Sequence, residues 1–187
     1  MASLRQSIEA FSEGGESEID QIFDTLEEQS LTKGAFLLQA GEVCQHYYFV
    51  AEGSIRLYYL KDGNDYTVWI GSPGEIFTNL ESYLDQSESR IYIEAIEQSL
   101  VYTIDKISSD QLAKDSNAYN TLLRKTVEIA FVNLSKNVIS FQSDDANTRY
   151  QRVLNEKNWI YKYPLKYIST FIGVTQSSLS RIRSHKI

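Results

Sequence analysis

Leu165-Lys166-Tyr167-Ile168-Ser169-Thr170-Phe171-Ile172-Gly173-Val174-Thr175-Gln176-Ser177-Ser178-Leu179-Ser180-Arg181-Ile182-Arg183-Ser184 reads as two short helices around a glycine turn. With Gly173 as the turn, Ile168, Ile172, Val174, Leu179 and Ile182 fall at the apolar offsets that let two helices pack as a helix-turn-helix. Ser169 supplies the small side chain where the two approach most closely, and Thr175 is placed to cap the second helix. Gln176, Ser177, Ser180, Arg181 and Ser184 then face outward, with Arg183 flanking. Arg suits guanine O6/N7, Gln suits adenine N6/N7, and Ser reaches bases or phosphates. A merely solvated helical face would usually mix Glu with Lys, and this helix holds no acidic residue.

Charge supports that reading once it is divided. The chain of 187 residues carries 18 Lys/Arg against 25 Asp/Glu, a net of −7. Residues 1–148 hold ten of the basic and 24 of the acidic groups, net −14. Residues 149–187 hold eight basic groups and only Glu156, net +7, as in a basic tail on an acidic body. Arg149, Arg152, Lys162, Lys166 and Lys186 are expected to add sequence-independent attraction to phosphate. Only three residues follow Ser184, so no β-hairpin wing is expected beyond the second helix.

One helix pair of this kind binds weakly, and reading two half-sites requires a dimer. Just upstream, a long helix is predicted over about Ser116 to Phe141. Its Leu123, Val127, Ala130, Leu134, Asn137 and Phe141 alternate spacings of four and three, which is a dimerisation seam with one register-fixing polar residue. Leu122, Ile129, Val132 and Ile139 form a second apolar face, expected to pack onto the protein's own body.

That body reads as β structure. Runs at Ala35–Gln39, Tyr47–Ala51, Ile55–Leu60, Tyr66–Ile70, Ile91–Ile96 and Leu100–Ile104 alternate with glycine turns, as in a compact antiparallel sandwich or barrel. Asp62-Gly63 marks a hairpin. Before it, Leu4–Phe11 and a segment capped at Ser17, with Ile19, Ile22, Phe23 and Leu26 on one face, read as two helices. Ser108-Ser109-Asp110 is expected to cap a short helix after the last strand, and Ser143-Asp144-Asp145 to cap the helix after the long one. The fold class is therefore α+β, in three parts: a β body with N-terminal helices at 1–115, a dimerisation helix at 116–141, and the helix-turn-helix segment at 142–187.

With 42% hydrophobic and 12% aromatic residues the chain can bury a sizeable core. A single Cys44 rules out an internal disulfide, a thiolate-held iron–sulfur cluster and a structural zinc site; His46 and His185 are too few for a multi-histidine metal site. Neither histidine lies in a recognisable nucleophile motif, so no enzyme is expected. Cys44 is read as a small buried apolar residue. No apolar run reaches the roughly 20 residues that span a bilayer, and the N-terminus lacks a signal sequence, so a cytoplasmic protein without a membrane partner is expected.

Together these stretches resemble the Crp/Fnr family of bacterial transcriptional regulators, in its short, wingless form. The resemblance runs through Lys33-Gly34-Ala35-Phe36-Leu37-Leu38, Gly41-Glu42-Val43-Cys44, Tyr48-Phe49-Val50-Ala51-Glu52-Gly53-Ser54-Ile55-Arg56-Leu57-Tyr58, Gly74-Glu75-Ile76, Ile93-Glu94-Ala95-Ile96-Glu97 and Gly173 to Arg183. It implies an N-terminal β-roll of the cyclic-nucleotide-binding type (a double-stranded β-helix), a long dimerisation helix and a C-terminal DNA-binding motif. It also implies a ligand pocket around Gly74, Glu75, Ile76, Ser89, Arg90 and Tyr92. In nucleotide-binding members a Gly-Glu pair precedes an Arg-Ser/Thr pair, the Glu holding the ribose and the Arg the phosphate. Gly74-Glu75 matches, but Ser89 stands where the Arg belongs and Arg90 is displaced by one, which turns a strand side chain to the other face. The incomplete cassette weighs against a cyclic nucleotide, and no other cofactor is expected.

The expected partners are double-stranded DNA, a second copy of the chain and an unidentified small effector. Base readout is assigned to Arg181 and Gln176, mixed contacts to Ser177 and Ser180, capping to Thr175, and flanking contacts to Arg183 and Lys166. The competing reading is a small-ligand-binding module that controls a protein partner, carried by the Gly74-Glu75 half-cassette. A cupin-type enzyme is a remote third, because its usual metal site lacks histidines.

Overall fold

The protein, seen in a computed structural model, is described over residues 2–156 and 158–184. Helices α1 (Ala2–Ser12) and α2 (Glu16–Thr25) come first, burying Leu4 and Ile8, then Ile19 and Ile22. The Glu18 carboxylate accepts the Gly15 backbone N–H at 3.1 Å. Helix α2 therefore starts at Glu16, and Ser17 lies inside its first turn rather than capping it.

Among the described residues, eight strands build two four-stranded antiparallel sheets. Strands β1 (Glu27–Leu31), β8 (Ser99–Asp105), β3 (His46–Glu52) and β6 (Ile76–Phe77) form one, in that order. Strands β2 (Phe36–Leu38), β7 (Tyr92–Ala95), β4 (Ile55–Lys61) and β5 (Asn64–Gly71) form the other. The hairpin between β4 and β5 turns at Asp62 and Gly63, both at positive φ (51° and 74°), as a two-residue hairpin turn with matching twist requires. Ile55, Leu57, Ile93 and Ala95 point into the roll with Phe49, Val101 and Ile104. Arg56, Tyr58 and Tyr92 alternate with them on the other face of the second sheet.

A short helix α3 (Leu80–Asp85) crosses between β6 and β7, and α4 (Lys106–Asp115) follows β8. Helix α4 is capped by Asp105, whose side chain accepts from the Ile107 and Ser108 N–H groups, not by the serines that follow. Helix α5 (Asn117–Ser143) is capped by Ser116 and buries Ala118, Tyr119 and Leu122 against α1, α2 and α4. Beyond that first third it leaves the body. Ile129, Val132 and Ile139, expected to pack inward, are exposed, so of the second apolar face only Leu122 is covered.

The chain ends in α6 (Ala146–Glu156), a 3₁₀ turn (Asn158–Tyr161), α7 (Leu165–Phe171) and α8 (Gln176–Ser184). The Asp145 carboxylate accepts the Thr148 N–H at 2.7 Å and starts α6. Tyr150, Val153, Ile160, Tyr163, Ile168, Ile172 and Leu179 make a second core. Two of its buried members, Ile70 and Ile96, come from the roll. The C-terminal helices are thus seated on the roll and share a core with it.

Candidate nucleic-acid interface

Helices α7 and α8 meet through Ile168, Ile172 and Leu179, all buried, with Ser169 buried at their approach. The chain reverses at Gly173, φ +71°, where an added Cβ would lie 2.6 Å from Cε1 of Phe141. The position needs glycine both for its left-handed backbone and for the close approach of α5. Thr175 Oγ1 accepts the Ser178 N–H at 3.1 Å, satisfying an otherwise orphaned donor at the start of α8. Gln176, Ser177, Ser180 and Arg181 lie exposed on α8, with Thr175 exposed at its head.

The flanking cations are placed differently from the sequence expectation. The Arg183 guanidinium turns inward, donates to the Ile160 carbonyl at 2.8 Å and lies over the rings of Tyr150 and Tyr161. Arg149 donates to the carbonyls of Ile172 (2.8 Å) and Asp144 (2.6 Å). Arg152 donates to the Lys136 carbonyl and to Asn137 Oδ1. Lys166 pairs with Asp65 at 2.8 Å and Lys162 with Glu97 at 2.6 Å. These five side chains spend donors on the protein itself. Lys186 and His185 lie outside the described residues.

Along α5, Val127, Ala130 and Leu134 of the expected seam are exposed, and Leu123 packs partly against the body. Asn137 accepts from Arg152 within the same chain, and Phe141 lays its ring against Gly173 and beneath Arg149. Phe131 and Val138, which the seam did not include, are exposed too, Phe131 to 67%.

In the roll, Gly74 donates to the Val50 carbonyl at 2.8 Å, and Ile76 pairs with Phe49. Glu75 Oε2 accepts from Trp69 Nε1 (3.1 Å) and from the Ser72 N–H (3.2 Å). The buried Ser89 Oγ binds the Ile91 N–H and carbonyl and the Asn79 amide. Arg90 points to solvent and, among the described residues, meets the exposed Glu81 at 3.3 Å. The displaced arginine therefore does not join the expected pocket: the backbone that would aim it inward aims Ser89 instead. Tyr92 stacks on Tyr58, ring centroids 5.1 Å apart, and lies 6.0 Å from Phe36.

Sequence reasoning missed Arg56. Its side chain is 1% exposed on the outer face of the second sheet, covered by α7. Nε donates to Thr67 (2.9 Å) and Nη1 to Asp65 (2.8 Å), while the guanidinium lies 4.4 Å from the Tyr58 ring and 3.9 Å from Tyr167. Thr170 Oγ1 of α7 donates to Thr67 Oγ1 at 3.0 Å and accepts the Thr67 backbone N–H at 3.1 Å, and Phe171 meets Trp69 edge-on. An arginine at an outward strand position reads as solvated; only the docking of a distant helix makes it interior. Burial would raise the Asp65 carboxyl, but the hydrogen bonds and charges of Lys166 and Arg56 outweigh it and hold its pKa below the ordinary 3.8. Burial acts likewise on Glu97, and is outweighed by Lys162, Ser54 and Tyr163, which hold it below 4.5.

Residues 28–116 match the model of the cyclic nucleotide-binding domain family, which spans the roll through α4. Residues 28–116 are similar to that domain family, and the fold is similar to that of solved Crp/Fnr-type regulators. A CooA mutant from Carboxydothermus hydrogenoformans superposes with a TM-score of 0.74 at 17% identity, covering 88% of this chain and 78% of that one. FixK2 from Bradyrhizobium japonicum gives 0.73 at 19% identity, over 86% and 83%. A protein from Eubacterium rectale assigned to the crp/fnr family of transcriptional regulators gives 0.68 at 17%, over 92% and 83%. No curated protein matches the sequence.

Proposed function

We propose that the protein is a homodimeric DNA-binding transcriptional regulator of the Crp/Fnr type, in which α7 and α8 are a helix-turn-helix and α8 enters the major groove. The observation that carries this is α8 itself: a capped helix without an acidic residue that exposes Gln176, Ser177, Ser180 and Arg181 beside a glycine turn at φ +71°. Arg181 and Gln176 supply base readout, Ser177 and Ser180 mixed contacts, and Thr175 the cap. Arg183, turned inward, positions α8 rather than reaching DNA.

The dimer forms along α5, whose exposed Val127, Ala130, Phe131, Leu134 and Val138 make an apolar stripe that a soluble monomer would not carry. Two copies would set two α8 helices about 34–36 Å apart, matching half-sites one DNA turn apart. An effector in the roll would act by shifting the dimer between arrangements that fit and do not fit that spacing.

Arg90 in solvent and Ser89 saturated by internal hydrogen bonds disfavour a cyclic nucleotide held in the usual cassette. Titration calorimetry with cyclic nucleotides is expected to give no heat at concentrations where nucleotide-dependent regulators saturate.

The test of DNA readout is Arg181→Ala. On a selected operator it should lose about 1–3 kcal/mol of discrimination against a site with the contacted guanine replaced. Its binding to random duplex should change far less. Undiminished affinity and selectivity in the variant would remove Arg181 from base readout.

A further inference from the structure

Two carboxylates of the roll reach out to the C-terminal helices. Asp65 of β5 pairs with Lys166, and Glu97, between β7 and β8, pairs with Lys162. The two halves of each pair are not equally free. The Lys166 and Lys162 side chains are 53% and 52% exposed, against 12% for Asp65 and 29% for Glu97. Each acid is also pinned by groups other than its lysine. Arg56 Nη1 holds Asp65 at 2.8 Å, and Ser54 Oγ and Tyr163 OH donate to Glu97 at 2.6 and 3.3 Å. Arg56 keeps one N–H-bearing nitrogen, Nη2, buried without a hydrogen-bond partner among the described residues, so Asp65 is its principal counter-charge. If a lysine leaves, its acid stays in place and charged. The lysine, a compact charge on a flexible four-carbon stem, is the member that moves.

We propose that Asp65 and Glu97 stand in for DNA phosphate, holding Lys166 and Lys162 on the roll and so restraining the helix pair when no DNA is bound. The inference rests on the reading of α7 and α8 as a DNA-binding pair. Acid and phosphate offer the same lysines the same chemistry, an anionic oxygen for a charge-assisted hydrogen bond. The surface between roll and helices is polar as well as apolar, through Arg56, Asp65, Thr67, Lys166 and Thr170, and interfaces of that kind move more readily than a wholly hydrophobic core. The roll thus lowers the number of phosphates the helix pair neutralises on first encounter.

The measurement is the salt dependence of binding to a random-sequence duplex, because each phosphate contact adds about −0.9 to the slope of log K against log salt. E97Q should steepen the slope by about 0.9, and D65N/E97Q by about 1.8, with tighter binding at low salt. Adding K162Q and K166Q should return the slope to that of the parent. D24N/E27Q removes one carboxylate from α2 and one from β1 and should leave the slope unchanged, which separates the effect from net charge. Because D65N leaves Arg56 short of a counter-ion, E97Q and E97Q/K162Q repeat the comparison where Arg56 is untouched. A parent that binds duplex with the slope unaltered in E97Q and D65N/E97Q overturns this inference alone. So does steepening that survives loss of the lysines. A parent and variants that all fail to bind duplex at low salt overturn the DNA-binding reading as well.

Discussion

Arg56 and Asp65 show what a single charged pair does when a helix from the far end of the chain covers it. An outward strand arginine becomes a 1%-exposed cation whose guanidinium lies between two tyrosine rings and whose counter-ion also receives Lys166. Removing one partner of such a pair leaves a buried charge uncompensated, whereas replacing both with apolar residues of similar size is often neutral. Asp65→Ala is therefore expected to cost about 3 kcal/mol or more, with Arg56→Met and Asp65→Leu together recovering most of it, as read from urea midpoints. The two acids also set a pH response. Both have folded pKa values below their ordinary values of 3.8 and 4.5, so their contribution is complete above that range and is lost as pH falls through the lowered values. Between about pH 6 and about pH 3 the parent should lose stability more steeply than D65N/E97Q; parallel losses would show that these pairs do not matter to folding. None of this was legible in the sequence, because Thr67 and Thr170, which bind each other beside Arg56, stand 103 positions apart.

Single elements were legible where local pattern dictates them and hidden where pairing does. The runs of aromatic and β-branched residues lie on strands β2 to β5, β7 and β8, and Asp62-Gly63 turns as expected. Strand β1 went unread because Glu27-Glu28-Gln29-Ser30 shows no apolar alternation; its backbone pairing with β8 and the single buried Leu31 make it a strand. Helix α5 was legible in length, but not in how soon it leaves the body after Leu122. The resulting apolar stripe makes a direct prediction. The parent should sediment with the mass of two chains, and Leu134→Glu, placing a charge on the exposed stripe, should sediment as one. At the turn between α7 and α8, Gly173→Ala puts a Cβ against Phe141 at positive φ and should destabilise by about 1–3 kcal/mol. Adding Phe141→Ala should relieve the steric part and leave the backbone part, and full recovery would show that strain at φ +71° is negligible.

Over the whole molecule, charge and core are organised differently. Charge divides at about residue 148, net −14 before it and +7 after it. The hydrophobic core does not respect that division, since Ile70 and Ile96 of the roll complete the core of the C-terminal helices. On the proposed function, the acidic body would have two effects on an approaching duplex. It would repel DNA from the roll and favour approach by the C-terminal face, and through Asp65 and Glu97 it would occupy part of that face. The central claim is that two copies, joined along α5, read a two-fold symmetric site through α8. Recovery and sequencing of the genomic DNA bound by the protein tests this most directly. The account predicts an enriched inverted repeat with half-site centres about 10 base pairs apart, lost in Arg181→Ala. Recovered DNA without an enriched inverted repeat, from a protein that sediments as a single chain, would contradict it.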